Sequence, residues 1–159
     1  MRILGIDPGT GIMGFGVIDA KGGKTTLVDG GVIKTKVHQP LDERLMEIYR
    51  HLASEIARTK PVVMAIEQLY FAQNVTTAIS VSHARGVAML AGKLAGLEIA
   101  EYTPLQIKQA LTGYGRADKK QIIEMVHILL GLKKGTIKQD DCADALATAI
   151  THSMTARVK

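Results

Sequence analysis

Four acidic residues stand at marked places in this chain: Asp7, Glu67, Asp141 and Asp144. Asp7 follows the apolar run Ile3-Leu4-Gly5-Ile6 and precedes Pro8, and Glu67 follows Val62-Val63-Met64-Ala65-Ile66. Taken singly, Asp7 reads as a turn residue before proline and the others as surface charges. Taken together they suggest a site. Two leave the C-terminal ends of strand-like runs, where ligands gather in sheets with parallel strands. The other two are three apart, so a helix puts them on one face, about 5–6 Å apart at Cβ. Asp140 is about 100° of helix turn from Asp141 and reads as a cap, although it also makes an i, i+4 pair with Asp144. Four converging carboxylates repel and favour protonation of some. Divalent cations remove that cost, and oxygen-only ligands select Mg²⁺, with Mn²⁺ as a substitute, over zinc. Two ions ~3.5–4 Å apart suit hydrolysis of a phosphodiester.

The elements that must position these acids follow from periodicity. Met1 to Asp19 reads as a strand, a turn carrying Gly9, Gly11 and Gly14, and a second strand. Thr26 to Lys36 reads as a third, with Gly30-Gly31 as a bulge or bend. Leu41, Leu45, Ile48, Leu52 and Ile56 form one apolar stripe, predicting a helix over 41–59 that Pro61 stops. Val62 to Ile66 is a short buried strand, and the helix before it is a crossover that lets it run parallel to the first. A helix rich in small residues spans Thr77 to Leu94, and Leu97 to Tyr102 is a fifth strand. Thr103-Pro104-Leu105-Gln106 and Asp118-Lys119-Lys120-Gln121 each have the capping-box pattern at a helix start. A last helix runs from Asp140 to Met154. This order predicts an α/β fold, with a mixed five-stranded sheet and helices on both faces.

The chain has 159 residues and is 47% hydrophobic, which suits one domain over 1–159 with a real core. No run approaches the ~20 apolar residues of a membrane span, and Met1 leads directly into a strand without the layout of a secretion signal. Cys142 is the only cysteine, so no internal disulfide can form, which fits a cytoplasmic protein. Lying between two acids with no adjacent histidine, it reads as a core residue rather than a nucleophile. Twenty Lys and Arg against fifteen Asp and Glu give +5. If four of those acids share one site, the remaining surface is more basic still, which suggests a polyanionic partner.

Gly5-Ile-Asp-Pro-Gly-Thr10, Ala65-Ile-Glu-Gln68, His83-Ala-Arg-Gly86 and Asp141-Cys-Ala-Asp-Ala-Leu-Ala147, with Ala149-Ile-Thr-His152, resemble the RuvC-type Holliday-junction resolvases. The likeness runs almost end to end. It implies an RNase H-like fold and a bacterial, Mg²⁺-dependent homodimer that nicks two opposing strands of a four-way DNA junction. Each active site would hold two ions, and the chain would work beside the RuvA–RuvB branch-migration complex. The family's four catalytic, metal-binding acids fall on Asp7, Glu67, Asp141 and Asp144. Asp140 neighbours the third, but the Ala-Asp-Ala-Leu spacing favours Asp141.

The resemblance also implies phosphate-contacting roles for Lys108 and Lys119, each near the start of a capped helix, where backbone donors add positive field. Tyr70 matches an aromatic wedge in the family and directly follows the Glu67 strand. An exposed ring there could stack on a base opened at the crossover. The junction's twofold axis calls for a C2 dimer, and the helix over 77–94 is a candidate interface. Three rival readings differ in class. An actin-like nucleotide-binding protein would explain Asp-x-Gly-Thr but needs a second phosphate loop, which the chain lacks. An inactive junction binder would have lost acids. A related RNase H-like nuclease would take another substrate.

Overall fold

The computed structural model describes residues 1–69 and 75–156. Five strands form one sheet in the order β3-β2-β1-β4-β5. β1 (Arg2–Asp7), β2 (Ile12–Lys21) and β3 (Lys24–Lys34) make the expected antiparallel meander. Helix α1 (Leu41–Thr59) crosses over, and β4 (Val63–Glu67) then pairs parallel with β1, as does β5 (Glu98–Tyr102) with β4. Between β4 and β5 lies α2 (Val75–Leu94). After β5 come α3 (Pro104–Thr112), α4 (Lys119–Leu129) and α5 (Asp140–Thr155). This is the mixed five-stranded sheet with helices on both faces that the order of elements predicts. Among the described residues no helix is long and apolar enough to cross a membrane.

Strand alternation divides the core into two layers. Leu4, Ile6, Met64 and Ile66 face α1 and α2, where they pack with Ile48, Leu52, Ala84 and Ala88. Ile3, Ile18 and Ala65 face α5, α3 and α4, with Leu146, Ile150, Ile107 and Ile122. Of the α1 stripe read from the sequence, Ile48, Leu52 and Ile56 are buried and Leu45 partly so, whereas Leu41 at the helix start is exposed. Both capping boxes form, with Thr103 accepting from the Gln106 amide and Asp118 from that of Gln121.

Three local expectations are corrected. The sheet irregularity is not at Gly30-Gly31, which pair regularly with Gly16 and Phe15; it lies at Val28, between the pairs Val17–Asp29 and Ile18–Leu27. β3 starts earlier than expected, at Lys24, because Gly22 and Gly23 adopt φ of 58° and 91° and close a two-residue hairpin. Asp140 is not the cap of α5. Gln139 occupies that position without a side-chain bond, and Asp140 is the first helical residue.

The glycines near the first hairpin also have a different cause from a turn requirement. Neither Gly5 nor Gly14 has positive φ. A β-carbon on Gly5 would stand 1.9 Å from the Ala145 carbonyl oxygen, and one on Gly14 would stand 1.9 Å from that of Asp141. These glycines let α5 lie directly on β1 and β2. Small residues on α5 complete the contact, since Ala143, Ala145, Ala147 and Ala149 are almost wholly buried.

Candidate active site

The register places the acids. Ile6 of β1 pairs with Ile66 of β4, so Asp7 and Glu67, the next residue on each strand, leave the sheet side by side. Both share the parity of Ile3 and Ala65 and therefore fall on the face that α5 covers. Asp7 also pairs with Gly14, over which the backbone of Asp141 lies. The start of α5 is thus seated beside Asp7. Asp144, one turn on, lines a cleft of about 260 Å³ with Glu67, Lys108, Lys119, Ile107 and Ile122.

The electrostatics agree with this proximity. Burial pushes the Asp7 carboxyl up to about 8, and the charges of Glu67, Asp144 and Asp141 add to the rise while Lys119 opposes it. Glu67 is pushed up to about 7 by burial and by Asp144, against Lys108 and Lys119. Asp144 is also raised by burial, although its hydrogen bond from Lys119 pulls the other way. Asp141 therefore belongs to the field that acts on Asp7. Asp140 is exposed and acts on Asp144.

Lys119 Nζ lies 3.1 Å from Asp144 and 3.4 Å from Asp140. Burial lowers its affinity for the proton, but the bond to Asp144 and the charges of both aspartates outweigh this and leave its pKa above the ordinary value. The site thus has an internal cation that moderates the repulsion.

The donor set suits hard divalent cations, since every acid offers oxygen and burial raises the cost of leaving the carboxylates unpaired. Among the described residues no three His, Cys, Asp or Glu side chains already stand in an arrangement that would hold an ion. The two observations are compatible, because charge–charge coupling reaches farther than a ligand bond. An ion held by three of these side chains would require them to move toward one another.

Of the residues singled out from the sequence, Asp7, Glu67, Asp141, Asp144, Lys108 and Lys119 come together at this end of the sheet. Tyr70 lies outside the described residues. Cys142 is buried, and desolvation pushes its thiol up to about 11, so it is a core residue and not a nucleophile at neutral pH. Sequence reasoning gave no role to Arg85, whose Nε donates to the Glu67 carbonyl at 3.2 Å. The available signal was an arginine in the otherwise small and apolar stretch Ala84-Arg-Gly-Val-Ala88.

A family model described as "Crossover junction endodeoxyribonuclease RuvC" matches residues 3–152. A relative of that name from Desulfitobacterium hafniense is 53% identical over 153 residues, 96% of this chain and 92% of its own. The solved structure of Thermus thermophilus RuvC superposes with a TM-score of 0.92 at 37% identity, covering 99% of this chain and 96% of the other. A T. thermophilus RuvC in complex with a Holliday junction substrate gives 0.90 at 34% identity, with the same coverage. The chain therefore belongs to the RuvC family of crossover junction endodeoxyribonucleases.

Proposed function

We infer that this protein resolves four-way DNA junctions by metal-dependent hydrolysis of a phosphodiester in each of two opposing strands. The observation that carries the reading is the cleft in which Glu67 and Asp144 face Lys108 and Lys119, with Asp7 and Asp141 beside it. Acids that offer oxygen ligands to metal ions and lysines that attract phosphate are what a nuclease site needs.

Asp7, Glu67, Asp141 and Asp144 would hold two Mg²⁺ ions, or Mn²⁺ in their place. When bound, such ions supply Lewis acidity and offset the charge that builds on a phosphate under attack. Lys108 and Lys119 hold phosphate oxygens and orient the backbone for cleavage. The Lys119 ammonium has three donors, so it can keep Asp144 while it holds a phosphate oxygen. Tyr70 follows closely after Glu67 in the chain, and we assign its ring to stacking on a base exposed at the crossover, where the gain is about 1–3 kcal/mol.

One site makes one nick, so the working unit is a C2 homodimer matched to the junction's twofold axis. Residues 1–159 act as one nuclease domain, in the cytoplasm beside the RuvA–RuvB branch-migration complex. The test is incubation with a mobile four-way junction and a linear duplex of the same sequence, each with Mg²⁺ or EDTA. Paired, symmetric, Mg²⁺-dependent nicks in the junction alone support the reading. Equal cutting of the duplex would assign the site to a nuclease of other specificity.

A further inference from the structure

Helix α2 grips the backbone beside both sheet acids. Thr10, three residues after Asp7 and 5% exposed, donates its hydroxyl hydrogen bond to the Ser80 carbonyl at 2.6 Å. The Thr10 carbonyl in turn accepts from the Thr35 hydroxyl at 2.6 Å, and the Thr35 oxygen accepts from Arg44 Nε at 2.8 Å. The turn after Asp7 is thus tied to the residue that follows β3, to α1 and to α2. About one and a half turns along α2, Arg85 donates from Nε to the Glu67 carbonyl at 3.2 Å, and its Nη2 pairs with Glu101 of β5. The guanidinium is well covered, its side chain being 18% exposed. Its planar fork can hold two acceptors in fixed directions, which a lysine ammonium does poorly.

Neither contact is needed to form the sheet, whose ladders already pair β1, β4 and β5. Both act at or just beyond the last ladder pairs of the two acids, Asp7–Gly14 and Glu67–Tyr102. We propose that α2 is a brace for the two sheet acids, with Thr10 and Arg85 as positioning residues that fix the backbone at Asp7 and Glu67 so that their carboxylates can close on one divalent cation. The proposal rests on the reading of those acids as metal ligands. Groups that orient a ligand from behind change metal affinity by about 10–100-fold when removed, and sites tolerate only ~0.5 Å of misplacement.

The experiment measures Mn²⁺ binding to the DNA-free protein by titration, alongside junction affinity in EDTA and the melting temperature. Thr10→Val and Arg85→Met should each weaken Mn²⁺ binding by about tenfold or more, with junction affinity in EDTA as in the wild type. Thr10→Ser, which keeps the hydroxyl, should bind as the wild type does, and Arg85→Lys should fall between. Should Arg85→Met not fold, Arg85→Lys is judged by the same criterion. Folded Thr10→Val and Arg85 variants that bind Mn²⁺ as the wild type does overturn the brace. Asp7→Asn separates this from failure of the ligand reading. If it too binds Mn²⁺ normally, the assignment of the acids is wrong; if it alone loses binding, only the brace is.

Discussion

The Asp141 carbonyl oxygen lies 1.9 Å from where a β-carbon on Gly14 would stand. Gly14 is also the ladder partner of Asp7. One missing methyl group therefore seats the start of α5, and with it an acid of the candidate site, beside the acid at the end of β1.

This relationship predicts that Gly14→Ala separates the two halves of the acid cluster. The added carbon meets rigid backbone, so α5 must shift. Overpacking of this kind costs about 1–3 kcal/mol, or a melting decrease of roughly 2–4 °C per kcal/mol at this size. Cleavage should fall far more than stability does. Gly31→Ala is the control, because its β-carbon would meet only the Phe15 ring at 3.3 Å. Thermal melts and junction cleavage on the two variants check the contrast.

How much of this was legible in the sequence depends on how local each cause is. The capping boxes at Thr103 and Asp118 lie within four residues, so they could be read directly. The α1 stripe and the parallel entry of β4 follow from periodicity and crossover length. The reason for Gly14 is not local: its partner is 127 residues away on another element, and in sequence it resembles any turn glycine. The contact of Arg85 with the Glu67 carbonyl has the same character. Helix and strand limits shifted by a residue or two for lesser reasons. α2 begins at Val75 rather than Thr77, and Asp140 starts α5 instead of capping it.

The raised carboxyls predict how stability depends on pH. Asp7 moves from 3.8 to about 8 and Glu67 from 4.5 to about 7 on folding. Between these values the folded chain binds more protons than the unfolded one, so stability is highest below the unfolded pKa and falls as pH rises through the folded one. In EDTA the melting temperature should drop from about pH 5 to pH 8, and Mg²⁺ should reduce that drop by binding the ionised acids. A melting curve in EDTA that rises over this range contradicts the account.

Lys119 has two effects to separate. Lys119→Ala removes the group that holds Asp144 toward its ionised form. The Asp144 carboxyl then rises further, and the pH at which cleavage becomes half-maximal should move upward. Lys108→Ala leaves that hydrogen bond intact but removes a charge that holds Glu67 down, so its profile should move upward through Glu67 instead. Junction affinity of the wild type should weaken with salt, with a log–log slope of roughly −0.9 per phosphate neutralised. A Lys119→Ala pH profile identical to that of the wild type would separate Lys119 from Asp144 in function.

The central claim is that Asp7, Glu67, Asp141 and Asp144 act together as metal ligands, and one measurement tests it most directly. Asp7→Asn, Glu67→Gln, Asp141→Asn, Asp144→Asn and Asp140→Asn are each given a four-way junction with Mg²⁺, and binding in EDTA is recorded beside cleavage. Asp140 is the internal control, because it is exposed at the first position of α5, where Lys119 reaches it at 3.4 Å. The account predicts that the first four variants bind the junction and fail to cut it, while Asp140→Asn cuts at close to the wild-type rate. Normal cleavage by Asp141→Asn, together with loss of cleavage by Asp140→Asn, would contradict it.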